Sequence, residues 1–523
     1  MAEASREGFS SRWGLVLASL GMAIGTGNIW RFPRVLAQNG GEEGGGAFLV
    51  AWLLFLFTWS IPVLILEFSL GKGTRRGTLG AFGRLNGKRW LWMGLFVGAC
   101  SLFIYFYYSV VTGWCFRYAW ASIVDLAQGS PFLTSLSGDD AANITKEAFS
   151  TFTASGWPVL FHGLAAILGG IVVARGIRGG VELLSKLLVP LLFAILVLCA
   201  ARSLTLPGAA RGLDYLFTID ASQFGNANLW IQALTQSAWS TGAGWGLVLT
   251  YASYMRKKED VVLNSVLTGL GNNSASLLAA LAIFPAVFAL VPAGLQPVSD
   301  ILKDSGPHST GISFIWIPVL FARMPAGGFF QVLFFLALSA AAFSSLIAMV
   351  QLGGRVLQDA GMSRGKAAAT LAAAGFVLGL PSALSAQVFD NQDWAWSVGL
   401  LFSGLFLALA VIRFGVRRFR TRLINAEGND VSLGVWFEAV ALVLIPVQGI
   451  ALTGWWTITN FRGEGEDWWN PFQTFGIATC VFQFAVVVGL AFLFQKQLTQ
   501  RFLGDGVRVG KDGSLVEGGG EKA

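Results

Sequence analysis

Two long apolar segments of the chain are interrupted by glycines, and the interruptions fall at matching places in its two halves. The first reads Gly21-Met22-Ala23-Ile24-Gly25-Thr26-Gly27-Asn28, and the second reads Trp239-Ser240-Thr241-Gly242-Ala243-Gly244-Trp245-Gly246. Unpaired backbone N–H and C=O groups are costly in hydrocarbon, so a chain that unwinds inside a bilayer is expected to bind a ligand there. The freed N–H groups suit an anion, and the freed C=O groups suit a cation. Paired interruptions of this kind are typical of the midplane binding site of a secondary transporter.

The elements that carry these glycines are predicted to be membrane helices. The chain has 523 residues, of which 54% are hydrophobic and 12% charged, with a mean hydropathy of +0.63; soluble proteins carry about 25% charged residues. A span needs roughly 17–25 apolar residues. Candidate spans are centred near Gly25, Leu56, Tyr107, Ile167, Phe193, Gly242, Leu277, Ser339, Ala373, Leu405, Leu444 and Val486. The sequence therefore predicts an all-α integral membrane protein with twelve transmembrane helices.

The net charge of +7 is a topology signal rather than a sign of a nucleic-acid partner. Lys and Arg concentrate in alternate predicted loops, at 72–89, 256–258 and 413–422, whereas the opposite loops carry acids such as Glu42 and Glu43. The positive-inside rule then predicts a multi-pass protein of the cell (plasma or inner) membrane with both termini in the cytoplasm. The oligomeric state stays open.

The alternation of loop charge also predicts an inverted five-helix repeat, because span 1 starts inside and span 6 starts outside. Helices 1–5 and 6–10 form the two halves, and helices 1 and 6 are the broken ones. The predicted units are a cytoplasmic tail at 1–10, the first repeat at 11–202, the second repeat at 203–422, helices 11 and 12 at 423–500, and a cytoplasmic tail at 501–523.

Several separate motifs carry a resemblance to a known family. They are Gly21 through Pro33, Asn39-Gly40-Gly41, Gly44-Gly45-Gly46-Ala47-Phe48, Ile61-Pro62, Glu67, Tyr107-Tyr108, Tyr251-Ala252-Ser253-Tyr254 and Ser344-Ser345. In this order and spacing the chain resembles the neurotransmitter:sodium symporter family, which includes the bacterial leucine transporter. The resemblance covers nearly all of spans 1–10. It implies sodium-coupled amino-acid symport by alternating access, with no catalytic residues.

The resemblance implies a substrate site at the two breaks. The amides of Thr26 and Gly27 are expected to hold a carboxylate, to which the Tyr108 hydroxyl donates. Gly25 stands where transporters of amine-only substrates carry an aspartate, so the substrate is expected to bring its own carboxylate. The full expected set is Met22, Ala23, Gly25, Thr26, Gly27, Ile104, Tyr108, Trp239, Ser240, Gly242, Trp245, Ser345 and Met349.

Two sodium sites are implied in the same way. The first comprises the Ala23 carbonyl, Asn28, Ser240, Asn272 and the substrate carboxylate. The second comprises carbonyls of Gly21, Ile24 and Ala341 with the hydroxyls of Ser344 and Ser345. All these protein ligands are neutral oxygens, which fit a monovalent cation better than a divalent one.

A chloride site is a further implication that stays open. Two sodium ions and one carboxylate leave a net positive charge, which is costly in a low-dielectric site. Ser276 stands where some bacterial members carry a glutamate and where chloride-dependent members carry a serine. The implied chloride ligands are Trp52, Gln236, Ser240, Asn272 and Ser276. Trp52 departs from the family, which has a tyrosine there, although an indole N–H can also donate.

The resemblance also implies two gates, each an ion pair. Arg31 and Asp393 are expected to pair on the outside, where Trp239 closes over the substrate. Arg6 and Asp359 are expected to pair on the inside.

Substrate size rests on Trp245, which replaces a smaller aromatic of leucine-type members and is expected to shorten the pocket. Glycine, alanine or N-methylglycine is therefore favoured, and larger hydrophobic amino acids are the alternative if Trp245 swings into the space at Gly242. An ion channel would show repeated polar rings along a pore, and a membrane-embedded enzyme would need a catalytic constellation. The sequence favours neither.

Overall fold

The chain folds almost entirely into helices, as its apolar composition predicts. The computed structural model describes residues 7–138, 140–291, 298–303, 310–426, 429–463, 468–503, 507–509 and 515–517. The helices of the first half are α1 (Arg12–Ala23), α2 (Thr26–Ile29), α3 (Arg31–Asn39), α4 (Gly46–Phe55), α5 (Ile61–Thr74), α6 (Thr78–Asn86), α7 (Leu91–Ala127), α8 (Pro131–Ser135), α9 (Ala141–Thr153), α10 (Trp157–Ala174) and α11 (Leu183–Leu204).

The second half repeats the pattern of long helices around one interrupted segment. Its helices are α12 (Ala209–Phe217), α13 (Ala227–Thr241), α14 (Leu247–Ala252), α15 (Val261–Leu290), α16 (Val298–Lys303), α17 (Ile317–Ala322), α18 (Gly327–Asp359), α19 (Arg364–Leu384), α20 (Ala386–Phe414) and α21 (Val416–Phe419). The remaining elements are α22 (Trp436–Ala439), α23 (Ile445–Gly463), α24 (Ile477–Leu493), α25 (Gln495–Leu503) and an antiparallel pair of strands, β1 (Val507–Val509) and β2 (Leu515–Glu517).

Short turns of other helix types join several of these elements. The π-helical turns are Leu56–Ser60, Ile177–Glu182, Ile312–Trp316, Arg420–Ile424 and Val440–Leu444. The 3₁₀ turns are Lys88–Trp90 and Ala221–Gly225.

Within the described residues, nine helical stretches are long and apolar enough to cross a membrane, and a tenth is added if the bent pair α24–α25 counts as one span. The two interrupted segments, α1–α3 and α13–α14, consist of helices too short to meet that criterion singly. The all-α membrane fold is therefore confirmed, and the count of twelve spans stays a prediction.

Polar side chains fix where several helices begin. The Ser11 hydroxyl accepts a hydrogen bond from the Gly14 amide at 3.0 Å, and α1 starts there. The Asp260 carboxylate accepts one from the Leu263 amide at 2.7 Å at the start of α15. Such caps satisfy amides that have no partner within the helix.

The long helices α7 and α18 pack against each other, and α1 packs against α11, α15 and α18. The short helix α2 contacts α15 and α18, and α14 contacts α5, α18 and α1. Buried apolar side chains from these helices form one large cluster. Long continuous helices therefore surround both interruptions and hold their backbones in place.

Candidate substrate and ion site

The first interruption separates α1 from α2. Ile24 and Gly25 leave the helical conformation, with φ/ψ of −79°/91° and −101°/−174°. The Asn28 side chain closes the gap from the other end, because its Oδ1 accepts a hydrogen bond from the Gly25 amide at 3.0 Å. The amides that begin α2 and the carbonyls that end α1 thus meet at this point, as the glycine pattern predicts.

The second interruption covers residues 242–246, between α13 and α14. Gly242, Gly244 and Gly246 all have positive φ, at 68°, 91° and 77°, which side-chain-bearing residues rarely adopt. Gly244 also lies so close to Gly404 that a Cβ atom would come within 2.9 Å of its Cα. The buried Glu67 carboxylate supports this segment by accepting hydrogen bonds from the amides of Gly246 (3.1 Å) and Leu249 (3.2 Å).

A cavity of about 480 Å³ lies between the two interruptions. All the predicted substrate residues except Ile104 line it: Met22, Ala23, Gly25, Thr26, Gly27, Tyr108, Trp239, Ser240, Gly242, Trp245, Ser345 and Met349. Ile104 precedes Tyr108 by about one turn of α7 and is fully buried without reaching the cavity wall.

Tyr108 contacts the amide end of the first interruption. Its hydroxyl oxygen accepts a hydrogen bond from the Thr26 amide at 3.3 Å and lies 3.2 Å from the Thr26 hydroxyl. The helix start that is predicted to hold a carboxylate therefore faces this phenol. A carboxylate bound at the Thr26 amide would be within reach of a second donor, the Tyr108 O–H.

The side chains predicted for the first sodium ion form one buried network. Asn28 Nδ2 donates to Asn272 Oδ1 at 2.8 Å, and Asn272 Nδ2 donates to Ser240 Oγ at 3.0 Å. One terminal atom of the Asn272 amide also lies 2.7 Å from the Ser240 carbonyl oxygen and 3.2 Å from the Ala23 carbonyl oxygen. If the Asn272 amide is oriented with its oxygen at this position, the three oxygens form a cluster that a cation can bridge. If the amide is turned over, its nitrogen donates to both carbonyls.

The residues predicted for the second sodium ion meet where α1 packs on α18. Ser345 Oγ donates to the carbonyl oxygens of Met22 (3.1 Å) and Gly21 (3.4 Å), and Ser344 Oγ donates to the Ala341 carbonyl at 3.1 Å. A Cβ atom at Gly21 would lie 3.2 Å from that of Ser344. Ile24 follows directly in the extended stretch after α1.

Comparison with known proteins assigns this architecture to a family. The sequence model of the sodium:neurotransmitter symporter family matches residues 6–132 and 140–498. The chain belongs to this family.

Individual relatives agree with the assignment. An uncharacterized sodium-dependent transporter of Bacillus subtilis, YhdH, is 32% identical over 85% of this chain and 96% of its own. Another from Methanocaldococcus jannaschii is 29% identical over 86% of this chain and 89% of its own. The crystal structure of MhsT in complex with L-phenylalanine matches with a TM-score of 0.72 and 30% identity, covering 86% of this chain and 99% of that one. The chain is thus a sodium-dependent transporter of the membrane, and not an enzyme.

The predicted outer gate of this symporter is not formed as an ion pair. Arg31 donates to the Gln236 side-chain oxygen, and its guanidinium lies 5.9 Å from the Trp239 ring centre. Asp393 lines the same cavity and interacts with Tyr107. Among the described residues no ion pair joins Arg31 to Asp393. The cavity therefore continues past these two charges, as far as Trp455 and Asn460 of α23.

The predicted inner gate residue Asp359 makes a different set of contacts. Asp359 accepts from the Gly77 amide at 2.6 Å and pairs with Arg355 (3.3 Å) and Arg76 (3.4 Å). Arg355 also lies over the Tyr254 ring, 4.9 Å from its centre. The expected partner of Asp359, Arg6, lies outside the described residues, so that pair stays a prediction.

The predicted chloride residues are all buried, and four of them have partners already, because Ser240 and Asn272 belong to the network described above. Ser276 Oγ accepts from Asn28 Nδ2 at 2.8 Å, and Gln236 accepts from Arg31. The Trp52 indole N–H has no hydrogen-bond acceptor in the described part of the chain. A buried donor without an acceptor is costly, so this tryptophan is the polar group of the set that most needs a ligand.

Sequence reasoning missed the contribution of α23 to the cavity wall and the role of Arg76 and Arg355 at the inner end. No motif marks these residues. For Arg76 the signal was the concentration of Lys and Arg at 72–89, which the topology prediction had already used.

Proposed function

We propose that this transporter couples the entry of two sodium ions to the uptake of a small neutral amino acid, with glycine, alanine or N-methylglycine favoured, by alternating access. The observation that carries the proposal is the space at Gly25. A Cβ atom there would lie 3.2 Å from Ser345 Oγ and 3.3 Å from Tyr108 Oη. A side chain at this position would crowd both hydroxyls, and Gly25 supplies no carboxylate, so the anion that the Thr26 amide attracts is expected to belong to the substrate.

The rings of Trp239 and Trp245 support a short pocket. Their centres are 5.2 Å apart and the rings are nearly perpendicular, so one edge meets the other face across the cavity. The Trp245 backbone is also fixed, because its carbonyl accepts from Ser101 Oγ at 2.6 Å. Two indoles that line the same cavity as Thr26 are expected to leave little length for a substrate side chain.

A larger hydrophobic amino acid is the second candidate, because the related protein MhsT was solved with L-phenylalanine. The space at Gly242 also favours a larger substrate. A Cβ atom there would lie 3.0 Å from Met22 Sδ, so the flexible Met22 side chain is the nearest wall at this point.

The converging oxygens support a monovalent cation at each predicted sodium site. At the first site these are the Ala23 and Ser240 carbonyls with the Asn272 amide oxygen, to which Asn28 Nδ2 donates. At the second they are the Gly21 and Ala341 carbonyls with the hydroxyls of α18. Each sodium ion that enters down 100 mV and a tenfold gradient yields about 3.7 kcal/mol. Two ions therefore support roughly 10⁵-fold accumulation of a zwitterion.

Chloride is proposed as a third ion, held by the set that contains Trp52 and Ser276. Two sodium ions and a zwitterion leave uncompensated positive charge in a buried site, which an anion would offset. The unpartnered Trp52 N–H supports the proposal. Both termini are proposed to be cytoplasmic, on the loop charges alone.

Uptake by the purified protein in proteoliposomes tests the function. Labelled glycine should accumulate only with an inward sodium gradient. Unlabelled alanine and N-methylglycine should compete with it better than leucine or tryptophan. Stronger competition by leucine or tryptophan would replace the small-substrate proposal with the second candidate. Equal uptake with potassium in place of sodium would overturn the coupling itself.

A further inference from the structure

A cluster of exposed arginines lies where α20 ends, far from the substrate cavity in the fold. Arg413 is the penultimate residue of α20, and Arg417, Arg418 and Arg422 follow within α21 and the π-helical turn behind it. Gly415 separates the two helices with φ of 103°, in the region that favours glycine. The bend opens a surface pocket of about 570 Å³, lined by Phe414, Gly415, Val416, Arg417, Arg418, Thr421 and Arg422.

The positive charge of this pocket is not neutralised within the described chain. Arg420 pairs with Glu438 at 2.8 Å, but Arg413, Arg417, Arg418 and Arg422 have no carboxylate within ion-pair distance among the described residues. Two of these guanidinium groups lie on aromatic rings instead. Arg413 lies 5.9 Å from the centre of Trp90, and Arg418 lies 5.6 Å from the centre of Phe414.

Further cations come from neighbouring elements. Trp90, on which Arg413 lies, follows the exposed Lys88 and Arg89 directly in the 3₁₀ turn before α7. The side chain of Gln495 donates to the Lys88 carbonyl at 3.4 Å, which brings the start of α25 and its exposed Lys496 to the same place. The helix α25 bends away from α24 by 69°. Two further elements, the turn before α7 and the start of α25, thus add positive charge beside the arginine cluster.

An apolar surface leads to Arg413, which directly precedes the residues that line this pocket. Phe406, Leu409 and Arg413 follow one another on one face of α20, at helical spacing. Trp92 packs against Phe406 at 5.0 Å and against Phe492 of α24 at 6.3 Å between ring centres. Leu409 is 45% exposed and Phe492 is 54% exposed. In a membrane protein, such exposed apolar side chains face lipid tails.

We propose that this pocket, with its apolar approach, is a binding site for an anionic phospholipid. The phosphodiester is held by Arg417, Arg418 and Arg422, which line the pocket. One acyl chain lies along Leu409, Phe406 and Phe492, beside Arg413. Guanidinium groups suit phosphate oxygens because they offer several donors in a planar fork. The pocket lies on the side that the loop charges predict to be cytoplasmic. The proposal does not depend on which amino acid is carried.

Charge complementarity favours this occupant over a zwitterionic lipid. Exposed cations near an anionic membrane surface each gain about the same free energy from it. If the attraction to anionic lipid were only general, removing any two exposed cations on this side would weaken lipid binding equally. A specific site would make Arg417 and Arg418 matter more than an equal number of exposed cations elsewhere on the same side. Lys257 and Lys258 are such a pair, exposed in the loop after α14.

Native mass spectrometry of the full-length protein in neutral detergent tests the site. Wild type, R417Q/R418Q and K257Q/K258Q are titrated with dioleoyl phosphatidylglycerol or dioleoyl phosphatidylcholine. Wild type and K257Q/K258Q should retain phosphatidylglycerol in preference to phosphatidylcholine. In R417Q/R418Q the apparent affinity for phosphatidylglycerol should fall on the order of tenfold or more. Equal losses in the two double variants, or equal retention of the two lipids by wild type, would overturn the proposal.

Two further arms complete the test. Inorganic phosphate at the lipid concentration should not displace bound phosphatidylglycerol, because it cannot occupy the apolar approach; full displacement would show a plain phosphate site and contradict the proposal. The single variant R422Q should weaken phosphatidylglycerol binding in the same direction. It decides the matter if the double variant does not purify. Unchanged melting temperatures without lipid establish that each variant is folded.

Discussion

The carboxylate of Glu67 accepts a hydrogen bond from the Gly246 amide at 3.1 Å, across 179 residues of sequence. It is 1% exposed, and its second oxygen accepts from the Leu249 amide at 3.2 Å. Both amides belong to the start of α14, where a helix has no internal acceptors to offer. One acidic side chain of α5 thus satisfies the backbone that the second interruption frees.

Replacing Glu67 with alanine should therefore destabilise the protein. Each buried amide that loses its acceptor costs about 1–3 kcal/mol, so the melting temperature of Glu67→Ala in detergent should fall clearly. Glu67→Gln keeps one strong acceptor, so its melting temperature should lie between those of wild type and Glu67→Ala. Glu147→Ala, at an exposed site on α9, is the control. Identical melting of the Glu67→Ala and Glu147→Ala proteins would show that the carboxylate does not support the break.

The sequence predicted the backbone of the site better than the pairing of its side chains. Glycines at 25, 242, 244 and 246 marked both interruptions because few other residues serve where a helix ends in a left-handed or tightly packed turn. The sequence did not predict the partners that the structure shows for Arg31 and Asp359. Gln236 is 205 residues from Arg31, and which oxygen an arginine reaches depends on how helices pack and on whether the outer side is open. No local pattern encodes either.

The second predicted sodium site can be tested on α18. Ser344→Ala removes a hydroxyl from the place where α1 meets α18, so the sodium concentration for half-maximal uptake should rise about tenfold or more, equivalent to about 1.4 kcal/mol of lost binding. Ser339→Ala is matched to it, since Ser339 is buried on the same helix and its hydroxyl has no partner in the described part of the chain. A similar sodium response in both variants would contradict the assignment of Ser344.

The length of the substrate pocket should respond to Trp245. In Trp245→Phe the smaller ring withdraws from the edge-to-face contact with Trp239, so leucine and tryptophan should compete with labelled glycine several-fold better than in wild type. Trp436→Phe, on an exposed side chain remote from the cavity, should leave the competition profile unchanged. If Trp245→Phe also leaves it unchanged, Trp245 does not limit substrate size.

Chloride stimulation of uptake should require the indole N–H of Trp52. Replacing chloride with gluconate should reduce uptake by wild type. Trp52→Phe should reduce uptake and remove most of its chloride stimulation, because the indole donor is gone while much of the ring contact with Phe32 (4.4 Å between ring centres) is retained. Trp59→Phe is the control. Trp59 is also buried with an unpartnered N–H, but lies outside the predicted chloride set. Wild-type uptake that is indifferent to chloride would end the chloride proposal.

The last prediction concerns how the start of α1 is held to the start of α11. The Ser10 amide donates to Glu182 Oε2 at 2.8 Å, and Lys186 pairs with the other oxygen at 2.7 Å. Gly14 makes this approach possible, since a Cβ atom there would lie 2.0 Å from Glu182 Oε1. If access alternates by release of α1 at this end, Glu182→Gln and Gly14→Ala should both favour the released state.

Cysteine labelling measures that release. Ser19→Cys places a thiol on the buried face of α1, at a hydroxyl without a partner in the described chain, and the four native cysteines are all buried. A membrane-impermeant maleimide should label Cys at this position several-fold faster when Glu182→Gln or Gly14→Ala is also present. Glu438→Gln, which removes the remote pair with Arg420, should not change the rate. Equal labelling of all these variants would mean that Glu182 does not hold α1 in place, because a contact that restrains α1 must slow its release and therefore the labelling of the thiol at position 19 on its buried face.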